Sequence, residues 1–414
     1  MASLDIATVA GMMRLPICWS VVMQTPVPRL VAGALVFWST MGMLEHTTVR
    51  LIWDGGPTVN VPEEMGAPHS EQLTGTVGEQ LIELGTRICY DSLGTGRATK
   101  ETLSHVLDAG HLSVLEHFTQ TMFIHLGSTD IESLVRGLNI LIGLWNRPGI
   151  WCRPVEGGFR LTLNARTVRE WANWTTALSV EAGTLAPLLD ISGSLGRRIH
   201  ELWIERLPLI IHSSGAAEDE LVDSCVQDIE WVEPETPNEQ WASLFVKCSR
   251  GVSHELVRHG DFTAISQRST RFVEEDESSW IRHPGMRHCK QPAMDITAKA
   301  IEAARAAYRA VKTDVEPEVA ASTNKRDARK QSRGAARGFL GNALETQIVF
   351  SASIAQWKRI LIMRGSDHAD AEIRQVSVQA LEALRTSRYA AQFADLAVVP
   401  SLDGLTSAIE QTTV

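Results

Sequence analysis

Most of the devices by which a sequence announces its chemistry are missing from this chain. Its six cysteines, Cys18, Cys89, Cys152, Cys225, Cys248 and Cys289, show no CxxC or CxxH spacing. That excludes the usual zinc frameworks and a disulfide scaffold, and it points to a reducing, cytoplasmic setting. No apolar run reaches the roughly twenty residues needed to span a bilayer; the stretches Leu15–Met23 and Leu30–Trp38 near the start are short. A basic excess is missing too, with 39 Lys and Arg against 49 Asp and Glu and a net charge of −10. This argues against a general nucleic-acid or anionic-membrane binder, so any anion site has to be local. There is no GxxxxGK[ST] phosphate loop, no GxGxxG after a strand and no GxSxG nucleophile turn. No Cys or Ser stands beside a base in a nucleophile arrangement. His111 and His117, with Glu116, lack the helical HExxH spacing, and no metal site is expected. The chemistry has to come from a bound cofactor.

What is present is an ordinary globular composition. At 414 residues, 44% hydrophobic and 21% charged, the chain can bury one large core or two moderate ones. Residues 1–42 read as an N-terminal extension, with Met41 or Met43 as the working start. A first domain part, 43–127, opens with a strand Val49–Trp53 ended by Gly55-Gly56-Pro57. Helical periods follow in Val77, Leu81, Ile82, Leu84 and Ile88 and in Thr99–Asp108, then an alternating strand over Phe118–Leu126. Residues 128–240 read as an inserted helix and hairpin unit. It has a turn-rich link at Trp145–Trp151, a hairpin signal at Glu156–Phe159, a strand into a helix over 159–176, and a solvated acidic loop at Ala216–Glu235.

The second domain part, 241–395, has a strand at Leu244–Lys247, helices at Val252–His259 and Met294–Val311, a strand at Thr346–Phe350, and helices at Ile354–Arg364 and Ala369–Arg385. A tail, 396–414, closes the chain. The expected fold is α/β in the broad α+β sense, a mixed sheet flanked by helices. An echo links Leu161–Trp171 and Ile348–Trp357, both strand into helix; a shared supersecondary shape accounts for it without duplication.

Two polar stretches carry the functional signal. Arg258–Arg271 packs three arginines, a histidine, four hydroxyls and a glutamine into fourteen residues, an inventory suited to gripping a phosphate and reading the polar edge of a ring. A bare surface loop would have the same composition. Lys325, Arg326, Arg329, Lys330, Arg333 and Arg337 put six bases into thirteen residues; such a run is more often a solvated helix face than a phosphate site.

Arg258-His259-Gly260, followed after eight residues by Ser269, resembles the RHR-x7 or x8-S motif of the flavin-dependent thymidylate synthases, the ThyX family. The resemblance extends to His111-Leu112-Ser113-Val114-Leu115-Glu116-His117, to Arg337 and to Met363–His368, all in the family's order. It covers more than half the chain, roughly Val49–Gly127 and Leu244–Ala391. It implies reductive methylation of dUMP to dTMP, with FAD as cofactor, methylenetetrahydrofolate and NADPH as co-substrates, and a homotetramer with shared sites.

Carried over by position, Glu255, Arg258, Gln267, Arg268, Ser269, Thr270, Arg271, Arg337 and Arg364 would contact dUMP. Arg271 and Arg337 would fork the phosphate, and Arg364 would stabilise the pyrimidine ionised at N3. Ser269 would sit beside the ring, and His111 would lie on the flavin and folate side. Ser113, Arg258, His259, Gly260, Ser353, Arg359 and His368 would meet FAD. The chain departs from the family at Gly260, which replaces the last Arg of the triplet, at Ser353 and Ala355, where members often have Asn and Arg, and at Gly341, which replaces a proline. Nucleotide positions are mostly intact while flavin positions are eroded, and Asn164 and Arg166 are expected to help compensate. Two other readings remain open, a UMP C5-methylase and a non-catalytic nucleotide-binding relative that has lost flavin.

Overall fold

The computed structural model describes residues 44–65, 73–93, 97–126, 150–178, 186–211, 226–260 and 262–412. The expected N-terminal extension, the link at 145–149, residues 94–96 and the first half of the expected acidic loop, 216–225, lie outside the described residues. Strands β1 (Leu44–Glu45) and β2 (Thr48–Trp53) lead to helices α1 (Val77–Tyr90) and α2 (Thr99–Asp108). Thr76 starts α1 with a capping box, its hydroxyl accepting from the Glu79 backbone while the Glu79 carboxylate accepts from the Thr76 N–H. A 3-10 segment, Leu112–His117, then turns the chain into β3 (Thr119–Leu126). Next come β4 (Trp151–Val155), β5 (Gly158–Asn164), α3 (Ala165–Leu178), α4 (Ala186–Arg206) and β6 (Val226–Trp231).

The second half runs through β7 (Trp241–Ser249), α5 (Arg250–Leu256), β8 (Thr263–Gln267), β9 (Trp280–Ile281), α6 (Gln291–Ala320) and α7 (Lys325–Ala336). It continues with β10 (Glu345–Ser353), α8 (Ile354–Arg364), α9 (Ala371–Leu384), β11 (Leu396–Pro400) and β12 (Ser407–Gln411). No described helix is long and apolar enough to cross a membrane.

The expected helix-and-sheet architecture is present, and its sheets are simpler than a mixed one. Two four-stranded sheets, β8-β10-β7-β2 and β4-β5-β3-β6, are antiparallel at every rung. Parallel pairing is confined, among the described residues, to the two-residue β1 and β9. The two orders correspond strand for strand. So do the junctions: Ala165 N–H donates to Phe118 O at 3.0 Å where β5 becomes α3, and Ile354 N–H donates to Gln240 O at 2.8 Å where β10 becomes α8. Each helix is capped by the last residue of its strand, Asn164 Oδ1 accepting from Thr167 N at 2.8 Å and Ser353 Oγ from Gln356 N at 3.2 Å. The sequence echo is therefore larger than one strand and one helix.

The sheets also exchange strands. β2 precedes β3 in the chain but pairs with β7, whereas β6 precedes β7 but pairs with β3. The boundary expected at 127/128 thus cuts through a sheet, since β3 pairs with β5 on one side and β6 on the other. Residues 128–240 are not a free-standing insert, because their strands satisfy backbone groups of β3 that would otherwise be buried unpaired. The expected tail is structured as well: β11 and β12 form a hairpin, and Ile409 N–H donates to Gly365 O at 2.7 Å.

One buried side chain fastens the sheets. His117, at the end of the 3-10 segment that feeds β3, is fully buried, with Nδ1 2.7 Å from Ser351 Oγ of β10 and Nε2 2.8 Å from Ser266 Oγ of β8. Ser351 in turn lies 2.6 Å from Ser243 Oγ of β7. Gly85 of α1 lets the ring in, since a Cβ there would stand 2.7 Å from His117 Cδ2. Burial pushes the His117 imidazole down to about 3.

Between the ordinary histidine value near 6.5 and about 3, the unfolded chain binds a proton that the folded one excludes, so stability falls as pH drops through that window. The expected loss from this residue is on the order of 4 kcal/mol. Urea titrations of wild type and His117→Gln from pH 6.5 to 4 check it, the variant showing the shallower slope; equal slopes contradict the assignment. Strand exchange carries its own expectation. Fragments 44–211 and 226–412 should fail to fold separately and should elute together after co-expression, whereas either fragment eluting alone as a folded monomer would contradict the exchanged pairing.

Candidate functional site

The fold brings the two ends of the Arg258–Arg271 segment to different walls. At one wall α8 ends on Arg364, held in place because Gly365 packs against Ile409 of the C-terminal hairpin. Arg364 Nη1 lies 2.9 Å from Glu255 Oε2, and its Nη2 lies 3.4 Å from the Glu255 carbonyl. Its Nε–H donates to His259 Nε2 at 3.0 Å. That bond makes Nε2 an acceptor and places the imidazole proton on Nδ1. Burial, then the Arg364 and Arg359 guanidiniums, hold His259 below its ordinary range, consistent with a neutral ring. Arg258, Gly260, Arg359 and His368 are exposed around this cluster. Arg258, Arg359 and His368 have no carboxylate partner among the described residues.

A separate set of polar contacts holds the end of β8. Ser253, two residues from Glu255 on α5, accepts from Gln267 Nε2 at 3.0 Å, and the same amide donates to Thr346 Oγ1 at 3.1 Å. Beyond β8 the chain turns on Ser269, whose N–H donates to Cys89 O at 3.1 Å and whose carbonyl accepts from Phe272 and Val273. Ser269 Oγ accepts from the Arg271 N–H at 3.4 Å. Arg337 Nη1 donates to the buried Thr270 hydroxyl at 3.5 Å, and Arg271 and Arg337 are both exposed.

At the second wall Tyr90, the last residue of α1, reaches His111 Nδ1 at 3.3 Å, and its ring centroid lies 4.8 Å from that of Phe272. His111, Tyr90, Arg271 and Phe272 line a cavity of about 490 Å³ together with Arg326 and Lys330 of α7. Burial lowers the His111 pKa from its ordinary value. Ser113 is half-buried on the same 3-10 segment that ends in His117. The residues grouped as catalytic are thus divided: His111 lines this cavity, Arg364 lines the other wall, and Ser269 is the turn between them.

Four residues expected at the ligands have structural partners. Arg268, nearly buried, donates to Ser278 Oγ at 3.0 Å and Glu275 Oε2 at 3.3 Å, and its guanidinium also lies 3.7 Å from Asp91 and 3.8 Å from Glu345. Ser353 and Asn164 spend their side chains capping helices. Arg166 is ion-paired with Glu116 at 2.6 Å and Glu170 at 3.0 Å. Sequence reasoning passed over Tyr90, Phe272, Ser253 and Thr346. The aromatic pair had one available signal, in that Phe272 directly follows Arg271 and Tyr90 closes the α1 period. No thiol is activated among the buried cysteines; desolvation raises Cys89 and Cys248, and it pushes Cys152 up to about 12.

Comparison with known proteins bears on this segment. Residues 212–387 match the family described as thymidylate synthase complementing protein. The flavin-dependent thymidylate synthase of Mycolicibacterium vanbaalenii is 38% identical over 156 residues, which are 38% of this chain and 61% of that protein. Those of Mycobacterium marinum and Mycobacterium tuberculosis are 39% identical over the same length and the same shares. The chain therefore spans about three fifths of the length of these curated relatives. A crystal structure of Thymidylate Synthase X from Helicobacter pylori with FAD and dUMP is similar at 17% identity and a TM-score of 0.26, over 36% of this chain and 68% of that one. The matched residues 212–387 contain both the Arg258–Arg271 segment and Arg364.

Proposed function

We propose that the protein is a flavin-dependent thymidylate synthase that reductively methylates dUMP to dTMP, taking the carbon from methylenetetrahydrofolate. The observations that support this most directly are three separate polar contacts in the matched segment, Arg364 with Glu255, Gln267 with Ser253 and Arg337 with Thr270. They leave Arg364 as a held cation for a ring and Arg271 and Arg337 as two exposed guanidiniums for a phosphate. In this reading Arg271 and Arg337 hold the phosphate, and Gln267 reads the pyrimidine edge. Arg364 faces the charge that develops on the ring when N3 is ionised, and Glu255 fixes its plane. Ser269 shapes the turn beside the ring. Cytoplasmic location, NADPH as reductant and a homotetrameric assembly belong to the same reading.

The donor set near Arg364 suits an anionic cofactor. Arg258, Arg359 and His368 are exposed cationic or cation-forming groups, and His259 keeps an Nδ1–H free to donate. Together with Ser113 these are the residues that would hold FAD, which supplies the hydride that completes the methyl group. The flavin end is also where the chain is thinnest. Gly260 carries no side chain, and a Cβ built there meets nothing within 4 Å.

Formation of dTMP from dUMP, methylenetetrahydrofolate, NADPH and added FAD is the direct test. Turnover of UMP in place of dUMP, or dUMP binding by a colourless protein that takes up no FAD, would replace the reading with one of its two rivals. Arg364→Ala should lower dTMP formation by about 10²-fold or more, the cost of one charge-stabilising donor. Gly260→Arg should tighten FAD binding, read as a lower Kd by flavin fluorescence quenching; an unchanged or weaker Kd would show that the missing guanidinium is not what limits the cofactor.

A further inference from the structure

The seam between the two large sheets holds a cavity of about 220 Å³, and none of the residues assigned to nucleotide or flavin lines it. Both sheets contribute to it in the same way. One brings Trp241 from the start of β7 and Trp53 from the end of β2; the other brings Thr119 from the start of β3 and Trp231 from the end of β6. The exchanged strands β2 and β6 thus both end at this cavity. Tyr389 and Arg206, the last residue of α4, also line it.

The lining is firmly held yet short of hydrogen-bond partners. Trp231 has its ring centroid 5.6 Å from that of Trp203, and the Arg206 guanidinium lies 5.2 Å from the same centroid. Tyr389 seats its hydroxyl against Gly55, where φ is 84° and a Cβ would stand 2.6 Å from the phenol oxygen. The indole nitrogens of Trp231 and Trp241 and the hydroxyls of Thr119 and Tyr389 are buried without a hydrogen-bond partner among the described residues. Each such atom destabilises the fold until something bonds it. Their gathering on the lining of one cavity points to a ligand.

The same groups select its chemistry. Indole N–H and guanidinium groups only donate, and burial pushes the Tyr389 phenol up to about 12, so it keeps a proton to donate. The carboxylates that also line the cavity are already engaged. Glu239 accepts from Arg153 at 3.1 Å, from Arg160 at 3.2 Å and from the Glu235 N–H at 2.8 Å, while Glu233 pairs with Arg388 at 3.0 Å. Arg206, by contrast, has no carboxylate partner among the described residues. An aromatic box with free carboxylates suits a cation; this one, with its carboxylates engaged and its donors unused, suits an acceptor. A cavity of about 150 Å³ holds a benzene ring, so about 220 Å³ holds one ring and its substituent.

We propose that the seam cavity binds a monocyclic aromatic carboxylate, its ring among the tryptophans and its carboxylate turned to Arg206. The proposal is independent of the thymidylate synthase reading. A ring held there touches strand ends of both sheets, two residues along the chain from the His117 anchor, so its binding stabilises the seam.

Full-length protein should be titrated with benzoate, benzamide and benzyltrimethylammonium, with and without excess dUMP, and binding read by ligand-observed NMR and by thermal shift. Benzoate is expected to bind, to raise Tm and to be indifferent to dUMP. It should bind about fivefold more tightly than benzamide, the scale of one exposed ion pair, and the quaternary ammonium should not bind. The double variant Arg206→Ala/Tyr389→Phe should weaken benzoate by about tenfold or more, the combined scale of that ion pair and one hydrogen bond. Tyr389→Phe alone removes an unpartnered hydroxyl, so the free variant should melt at or above the wild-type Tm; a lower Tm would show that the hydroxyl is already bonded and would count against the site. Absence of benzoate binding at millimolar concentration, displacement by dUMP, equal or better binding of benzamide or the ammonium, or unchanged benzoate affinity in the double variant overturns the proposal. None of these outcomes alters the expectation for dTMP formation.

Discussion

The histidine held between two serines is the constraint from which the rest of the molecule follows. His117 belongs by sequence to the strand that opens one sheet, yet both of its ring nitrogens are satisfied by serines of the other, Ser351 and Ser266. A buried imidazole with two partners is stable only when both are in place, because an orphaned nitrogen in that interior would cost about 1–3 kcal/mol. The 3-10 segment that ends at His117 therefore cannot slide relative to β8 and β10. Six residues upstream of the anchor is His111; immediately beyond Ser266 is Gln267. His111 and Gln267 are thus tied to different sheets, and this side chain links the two.

Strand exchange serves the same end by a different means. An edge strand presents unpaired N–H and C=O groups, and it has to be paired or covered. Here β2 and β6 pair the otherwise open sides of β7 and β3, each in the sheet to which it is not a sequence neighbour. The sequence showed most of the strands themselves, because Val49–Trp53, Phe118–Leu126, Leu244–Lys247 and Thr346–Phe350 are apolar or alternating runs bounded by turn residues. Their order was not readable. Nothing local in Val226–Trp231 distinguishes a strand that pairs backwards from a solvated acidic stretch, since its pattern of exposed Gln227, Asp228 and Glu230 around buried Ile229 is polar on one face. The echo between the two strand-to-helix junctions was visible, but its extent was not, because the matching hydrogen bonds are backbone ones to which any sequence can contribute.

The candidate site divides along the same line. Residues whose proposed role needs a charge in the open, such as Arg271, Arg337 and Arg258, stand out in the sequence and are exposed on the surface. Those whose side chain could be consumed locally were ambiguous. Ser353 and Asn164 sit where a ligand contact and an N-cap would look alike in one dimension, and both are caps in the fold. Arg268 lies between two ligand-type neighbours, yet four acidic or hydroxyl groups gather on its guanidinium only because Asp91, Glu275, Ser278 and Glu345 converge from separate segments. Its role in holding the loop is a product of tertiary structure, as is the stacking of Tyr90 on Phe272.

Charge balance shows why the exposed cations matter. The chain holds ten more acidic than basic side chains, so carboxylates are plentiful, and elsewhere arginines find them: Arg153 and Arg160 share Glu235 and Glu239, Arg374 meets Asp403, and Arg87 meets Glu83. Arg258, Arg271, Arg326, Lys330, Arg337 and Arg359 do not, among the described residues. Like charges kept close together on one surface repel each other, and random placement on an acidic protein would pair most of them. The cost is modest in water but it is uncompensated within the fold. A ligand that brings its own negative charges to the same strip would remove it.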